Sequence, residues 1–429
     1  MNKYKLSRFN IYHKISDESY LVYNTYTQGL LKLNNEYYNM LLNTENDSML
    51  INKKFIEYGL VIEETFNEID RLKYNNRAAR YDRSTASITI KTTNNCNFMC
   101  KYCYQMHTPE NLKSEDMDKL KSFLKLKIEE GVREVFIHWF GGEPLINFDV
   151  IQEIEDFIRQ FDITYRSSIT TNGYLLDDQL ISKIKNTSVN SLQITIDGIE
   201  NIHNKTRVLK DGSGTFNKIM ENIRKCMEND INVIMRYNIN KYNENIIPLL
   251  EYLKNNNMKD KKLSLHFNEA TKQDISYTDE DIFYDCQSEY ASKLLDIYKE
   301  LLKFDYNIPL YPITSVGCSF DKINNFLIDI DARIYQCSSC DDDKLFYLGQ
   351  IQDDGNLLIN KDVQYEKLLY EPFESPECLS CKVLPMCFGG CSYKRKKGKN
   401  FCIPEKYIIE PLVELYYQSR TKNNEKNEK

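Results

Sequence analysis

The chain has 429 residues, with 56 Lys plus Arg against 63 Asp plus Glu and a formal net charge of −7. That acidic balance argues against a polyanionic partner, so neither nucleic acid nor an anionic membrane surface is expected. Hydrophobic residues make up 41% and charged residues 28%, and no apolar run is long enough to span a bilayer, which describes two or three globular domains.

Residues 1–80 are expected to form a first, winged-helix-like module. Alternation through residues 19–33 around Gly29 predicts a hairpin, residues 35–42 (NEYYNMLL) a helix, and residues 51–62 a helix turning into a strand at Gly59. The basic, polar stretch RLKYNNRAARYDRS shows no strong periodicity and reads as a connection. No apolar signal region opens the chain, so a cytoplasmic location is expected.

From residue 86 the pattern becomes strand, loop, helix. Strands are predicted at 86–92, 134–140, 163–171, 190–196, 232–239 and 262–268. Between the first two, Met117, Leu120, Leu124 and Ile128 fall at helical spacing behind Ser114, the expected N-cap, with Glu115 and Asp116 in the first turn. Repeated βα units imply parallel strands joined by right-handed crossovers. The fold class is therefore α/β: a partial (β/α)6 TIM barrel over residues 81–309, closed by a long helix at about 279–303. The turn GSGTF at 212–216 has too few glycines for a dinucleotide fingerprint.

Thirteen cysteines require a reason other than disulfides, which are rare in a reducing compartment. Cys96, Cys100 and Cys103 form one group, eight more lie between Cys318 and Cys402, and Cys226 and Cys286 stand alone. The isolated pair reads as small buried hydrophobes. The first group, in TTNNCNFMCKYCYQ, follows the first barrel strand directly, where such barrels build their active sites. Three thiolates suit a [4Fe–4S] cluster with one iron open to another ligand, or a zinc ion completed by water or by His107. The following strand-end loops all carry glycine: Gly141-Gly142-Glu143-Pro144, Thr171-Asn172-Gly173 and Asp197-Gly198. His138 and His266, on strands, read as satisfied core residues. Beyond residue 310 apolar periodicity fades, and Cys378-x2-Cys381-x5-Cys387-x3-Cys391 with Cys402 suits zinc and iron–sulfur ligation equally. The charged end, residues 411–429, reads as a disordered tail.

Taken together, Cys96, Cys100 and Cys103 in a CxxxCxxC loop, with Tyr102 before the last cysteine, resemble the radical S-adenosylmethionine superfamily over residues 86–310. The resemblance implies that these cysteines hold a [4Fe–4S] cluster whose open iron binds S-adenosylmethionine. Gly141, Gly142, Glu143 and Pro144 match the family's GGEP motif at the methionyl amino group. Thr171 and Asn172 match the ribose-side loop, and Thr195 stands near the methionyl carboxylate. Arg207 and Arg236 are candidate carboxylate partners, because a guanidinium fork suits a carboxylate.

The later cysteines, within residues 310–410, resemble the SPASM domain of the same enzymes, which holds two auxiliary [4Fe–4S] clusters. The resemblance assigns Cys378, Cys381, Cys387 and Cys402 to one, and Cys318, Cys337 and Cys391 to the other. Cys340 is its fourth ligand, or one iron stays open to a substrate thiolate. Ala332 replaces the family's glycine before Cys337. Three clusters and S-adenosylmethionine are thus the expected cofactors. A peptide maturase is implied: the first module binds the leader of a ribosomally made precursor, and flavodoxin or ferredoxin supplies electrons. The favoured reaction is a cysteine thioether crosslink. Carbon–carbon crosslinking and sulfatase formylglycine formation are the alternatives, with a zinc-bound peptide-binding scaffold as the non-enzyme reading.

Overall fold

The computed structural model describes residues 3–44, 52–270, 282–310, 318–339, 346–398 and 402–427. The chain divides into two compact units, one of Met1–Tyr81, Asp285–Lys322 and Leu369–Lys429, the other of Asp82–Tyr284 and Ile323–Leu368.

In the first unit, β1 (Tyr4–Leu6) pairs antiparallel with β5 (Val61–Glu63), and β2 (Asn10–Ser16), β3 (Ser19–Asn24) and β4 (Leu30–Asn34) form an antiparallel sheet. The Asn34 side chain accepts from Tyr37 N and starts helix Asn35–Leu42; Asn52 does the same for helix Lys53–Glu57 through Lys54 N. Val22, Leu33, Leu41, Phe55, Leu60 and Val61 close one core. Alternation sends Ile11, Leu21 and Tyr23 to a second core with Val383, Met386, Cys387, Ile409 and Val413.

Two segments of this unit differ from their sequence reading. The expected connection belongs to helix Glu68–Arg80, capped by Asn67 through Asp70 N. Its buried stripe is Glu68, Leu72, Asn76 and Arg80, so the helical period is carried mostly by polar side chains and no apolar pattern reveals it. Arg80, 1% exposed, donates to the Tyr370 carbonyl at 2.6 Å and pairs with Glu371 at 3.5 Å. The expected disordered tail is largely helix Glu405–Asn427, which continues through Pro411 because Ile408, Ile409, Leu412 and Val413 bury one face.

The second unit is built on a ten-stranded sheet. Its strands are β6 (Thr85–Thr93), β7 (Glu134–Gly141), β8 (Thr164–Thr171), β9 (Val189–Thr195), β10 (Asn232–Ile239), β11 (Leu263–Glu269), β12 (Asn325–Ile328), β13 (Arg333–Tyr335), β14 (Tyr347–Ile351) and β15 (Leu357–Ile359). Strands β6 to β11 are parallel neighbours in chain order, the partial (β/α)6 barrel expected from sequence. Strand β7 shows why the signal was strong: Val135, Ile137 and Trp139 are fully buried, while Phe136, His138 and Phe140 alternate with them.

The sheet does not stop at β6. The apolar segment NFLI of β12 adds in parallel to β6, and β13 to β15 continue antiparallel, so these four strands extend the barrel sheet. Ala332, where the resembled family has glycine, adopts φ +63°, a conformation that costs a Cβ-bearing residue roughly 1 kcal/mol. Helix Ser114–Glu129 starts one residue earlier than expected: Lys113 holds the cap position without a side-chain bond, and Ser114 is already helical. Of the long helix expected at about 279–303, residues 279–281 lie outside the described residues, and the helix observed is Gln287–Lys303, which belongs to the first unit.

Candidate active site

The loop after β6 is held as a ribbon. Met99 N donates to the Val208 carbonyl and Lys101 N to the Thr206 carbonyl, both at 2.9 Å, and Lys210 N reaches the Asn97 carbonyl at 3.3 Å. Extended alternation buries Phe98 (1% exposed) and turns Met99 outward (60% exposed), so Cys96 and Cys100 share the inner face with Phe98 and Tyr102.

Gly142 N donates to the Thr93 carbonyl and Glu143 N to the Asn95 carbonyl, pressing the loop after β7 against the start of this ribbon. A Cβ on Gly141 would lie 2.3 Å from the Thr93 oxygen and one on Gly142 2.3 Å from the Asn95 oxygen, so only glycine allows that approach. Glu143, fully buried, accepts from Thr171 Oγ1 at 2.6 Å, Asn172 N at 2.7 Å and Leu145 N at 3.1 Å. Burial raises its carboxyl pKa and these donors pull it back. Its side chain ties the loops after β7 and β8 together behind the wall of the site.

In front of that wall lies a cavity of about 320 Å³ lined by Cys96, Cys100 and Cys103. Of the other residues singled out from sequence, Tyr102, Gly141, Gly142, Thr171, Asn172, Thr195, Arg207 and Arg236 also line it; Glu143 and Pro144 do not. Burial pushes the Cys96 and Cys100 thiols up to about 12, with Arg207 the one group pulling Cys100 down. Bound metal overrides that by supplying positive charge, and thiolates are the ligands iron–sulfur clusters take. His107 is drawn to the same loop. Its Nδ1 faces the Asn94 carbonyl at 3.2 Å, which assigns the proton there and leaves Nε2, 3.3 Å from Cys103 Sγ, as an acceptor for that thiol. Among the described residues, no three His, Cys, Asp or Glu side chains converge on a single ion.

Asp197 is a centre of the site whose role the glycine pattern of its loop did not reveal. Its Oδ2 accepts from Tyr102 Oη at 2.6 Å and Thr206 Oγ1 at 2.9 Å, and Arg207 donates to the same Tyr102 hydroxyl at 2.9 Å. Asp197 Oδ1 and Arg207 Nε are buried without a protein partner. His138 and Gln193 also line the cavity. The imidazole of His138 bonds Ser168 Oγ and Thr170 Oγ1 at 2.8 and 2.9 Å, so its polar atoms are satisfied as expected, although it faces the cavity and not the core. The three thiols, the polar wall and the buried guanidinium suit a cluster together with a zwitterionic, cationic ligand.

In the first unit, Cys378, Cys381, Cys387 and Cys402 line a second, small cavity with Arg395 and Lys406, and Lys406 Nζ lies 3.3 Å from Cys402 Sγ. Helix Pro376–Ser380, capped by Ser375 through Cys378 N, and helix Leu384–Cys387 bring the first three together. Cys318 and Cys391 belong to this unit as well, whereas Cys337 belongs to the barrel unit and Cys340 lies outside the described residues. Cys226 is fully buried, as expected. Cys286 corrects the sequence reading: it is exposed at the start of helix Gln287–Lys303, because its neighbours Asp285 and Gln287 begin a surface turn and not an apolar face.

Residues 90–255 match the family described as the Radical SAM superfamily. A barrel that carries a three-cysteine loop beyond its first strand thus defines the class, and residues 90–255 form a domain of the radical S-adenosylmethionine superfamily, whose enzymes use a [4Fe–4S] cluster and S-adenosylmethionine. Among its relatives, the radical SAM cyclopropyl synthase TigE of Paramaledivibacter caminithermalis is 22% identical over 95% of this chain and 95% of its own length. The cysteine-type anaerobic sulfatase-maturating enzyme of Clostridium novyi is 25% identical over 74% of this chain and 90% of that enzyme. SuiB of Streptococcus suis, solved bound to precursor peptide SuiA, shares the fold with a TM-score of 0.53 at 15% identity, covering 94% of this chain and 98% of SuiB. No helix among the described residues is long and apolar enough to cross a membrane.

Proposed function

We propose that this protein is a radical S-adenosylmethionine peptide maturase that installs a crosslink, a cysteine thioether in the favoured case, in a ribosomally made precursor. The observation that carries the reading is that Cys96, Cys100 and Cys103 all line one cavity at the C-terminal ends of the barrel strands. Likeness along nearly the whole chain to TigE and SuiB, the latter solved with its precursor peptide, supports a peptide as the substrate.

In this reading the cluster and S-adenosylmethionine, when bound, supply a 5′-deoxyadenosyl radical that removes a hydrogen atom from the peptide. The chain's own residues position the reactants. Cys96, Cys100 and Cys103 hold the cluster, and His107 Nε2 accepts the proton released as Cys103 becomes a thiolate. Gly141 and Gly142 offer backbone at the methionyl amino group. Thr195 and Arg207 serve its carboxylate, Asn172 and Thr171 its ribose side, and Arg236 is a second cation on the same wall. Cys378, Cys381, Cys387 and Cys402 hold an auxiliary cluster. A further one, on Cys318, Cys337 and Cys391 with Cys340 or an open iron, completes the set of three. The sheet β2–β3–β4 takes the leader as an added strand. Flavodoxin or ferredoxin delivers electrons, and the protein works in the cytoplasm.

Carbon–carbon bond formation is the second reading, favoured specifically by the cyclopropyl synthase relative. Co-expression with a short cysteine-bearing reading frame from beside the gene, followed by mass spectrometry, tests both. Loss of two hydrogen atoms per link is expected. Disappearance of one alkylatable thiol per link identifies the thioether, retention of every thiol the carbon–carbon bond, and an unchanged mass contradicts crosslinking.

A further inference from the structure

The hydroxyl of Tyr102 is the junction of a buried network that joins the cysteine loop to a residue far along the chain. It donates to Asp197 Oδ2 at 2.6 Å and receives Arg207 at 2.9 Å and Asn238 Nδ2 at 3.4 Å. Asp197 is fully buried and Arg207 is 8% exposed, with its guanidinium 5.8 Å from the Phe98 ring centroid and 5.9 Å from that of Tyr102. Neither loop needs the hydroxyl to fold: the bonds from Met99 N to Val208 O and from Lys101 N to Thr206 O already pair residues 97–101 with 206–210. Asp197 is anchored independently by Thr206 Oγ1 and, through its backbone carbonyl, by Asn243 Nδ2 at 3.0 Å. The hydroxyl therefore adds orientation to a scaffold already closed. What it orients is a guanidinium whose Nε is buried and has no protein partner.

We infer that Tyr102 is a positioning residue: by bridging Asp197 and Arg207 it fixes the Arg207 fork, with Nε kept for the methionyl carboxylate, so that the cysteine loop and the cofactor-binding arginine stay in register. The inference rests on the assignment of Arg207 to that carboxylate. Tyr102→Phe keeps the ring and removes the bridge, together with the long 3.4 Å bond from Asn238 Nδ2. The guanidinium is then free to rotate between rotamers, and a bidentate grip depends on a fixed fork.

The test uses the full-length protein after anaerobic cluster reconstitution. In Tyr102→Phe, iron and sulfide content and slow hydrogen exchange at Met99 and Lys101 are expected to match the wild type. The S-adenosylmethionine concentration that half-saturates the change in the reduced cluster's EPR spectrum should rise about tenfold, as expected for losing one charge-assisted hydrogen bond, and kcat at saturation should change little. In an Arg207→Lys background the same substitution should have almost no further effect, since the group it acts through is gone. Unchanged affinity in Tyr102→Phe, additive effects in the double variant, loss of cluster loading or faster exchange at Met99 and Lys101 would each overturn the inference. A wild-type protein that loads a cluster but does not respond to S-adenosylmethionine would overturn the reading beneath it instead.

Discussion

Gly142 offers the sharpest perturbation of the proposed site, because its effect follows from distances. A methyl group there would stand 2.3 Å from the Asn95 oxygen, 2.7 Å from the Asn95 carbonyl carbon and 2.8 Å from the Asn94 oxygen, all of them backbone. Ordinary contact begins near 3.4 Å, so in Gly142→Ala the loop must retreat by roughly 1 Å immediately before Cys96. That retreat also stretches the 2.8 Å bond from Glu143 N to the Asn95 carbonyl. Overpacking of this kind costs about 1–3 kcal/mol, which a folded unit survives, but a misplacement of about 1 Å in a catalytic group lowers rates on the order of 100-fold. The assay is 5′-deoxyadenosine formation by the reduced protein, with circular dichroism and urea unfolding as the fold control. Gly212→Ala is the comparison: at φ +84° it strains the backbone, yet a Cβ meets nothing within 4 Å, so stability should fall by about 1 kcal/mol with activity retained. A Gly142→Ala enzyme with the wild-type rate would refute the close packing of the two loops and the role given to it.

Three further outcomes follow from individual side chains. Lys406→Met removes the cation 3.3 Å from Cys402 Sγ and should lower the midpoint potential of the auxiliary cluster proposed on Cys378, Cys381, Cys387 and Cys402 by tens of millivolts, about 59 mV per tenfold shift in a one-electron equilibrium, measured by redox titration with EPR detection. Arg80→Met leaves the buried Tyr370 carbonyl without its donor, while Glu371 keeps Arg77 at 3.2 Å, and should lower the urea stability of the first unit by about 1–3 kcal/mol. Burial first, and Arg236 second, bring the His138 imidazole down to about 4, below its unfolded value near 6.5. Its contribution to stability is therefore complete above pH 6.5 and lost as pH falls toward 4. Urea unfolding at pH 7 and pH 5 should show a pH-dependent loss smaller by up to about 2 kcal/mol in His138→Gln than in the wild type.

Legibility in the sequence followed the physics of each element. The six barrel strands stand within two residues of their predicted ends, because alternate positions such as Val135, Ile137 and Trp139 had to be apolar. Helix Glu68–Arg80 was hidden because its buried stripe ends in Asn76 and Arg80, and the Arg80 partners Tyr370 and Glu371 lie 290 and 291 residues away. Strands β12 to β15 were hidden because short runs beside cysteines give no period, although β12 does offer the apolar segment NFLI. At the site, the three thiols and the glycine loops were visible as local patterns. The network around Asp197 was not, since Tyr102 and Asp197 meet across 95 positions of sequence, and a lone aspartate before glycine signals a turn before it signals a site. Exposure misled for Cys286, where residue type suggested burial and the helix start places it in solvent.

The most direct test of the central claim is 5′-deoxyadenosine formation by the anaerobically reconstituted, reduced protein supplied with S-adenosylmethionine, with iron and labile sulfide measured on the same sample. The account predicts cluster iron and sulfide together with 5′-deoxyadenosine, and loss of the nucleoside in the variant combining Cys96→Ala, Cys100→Ala and Cys103→Ala. Zinc without labile sulfide, or a triple variant that still cleaves S-adenosylmethionine, would contradict it.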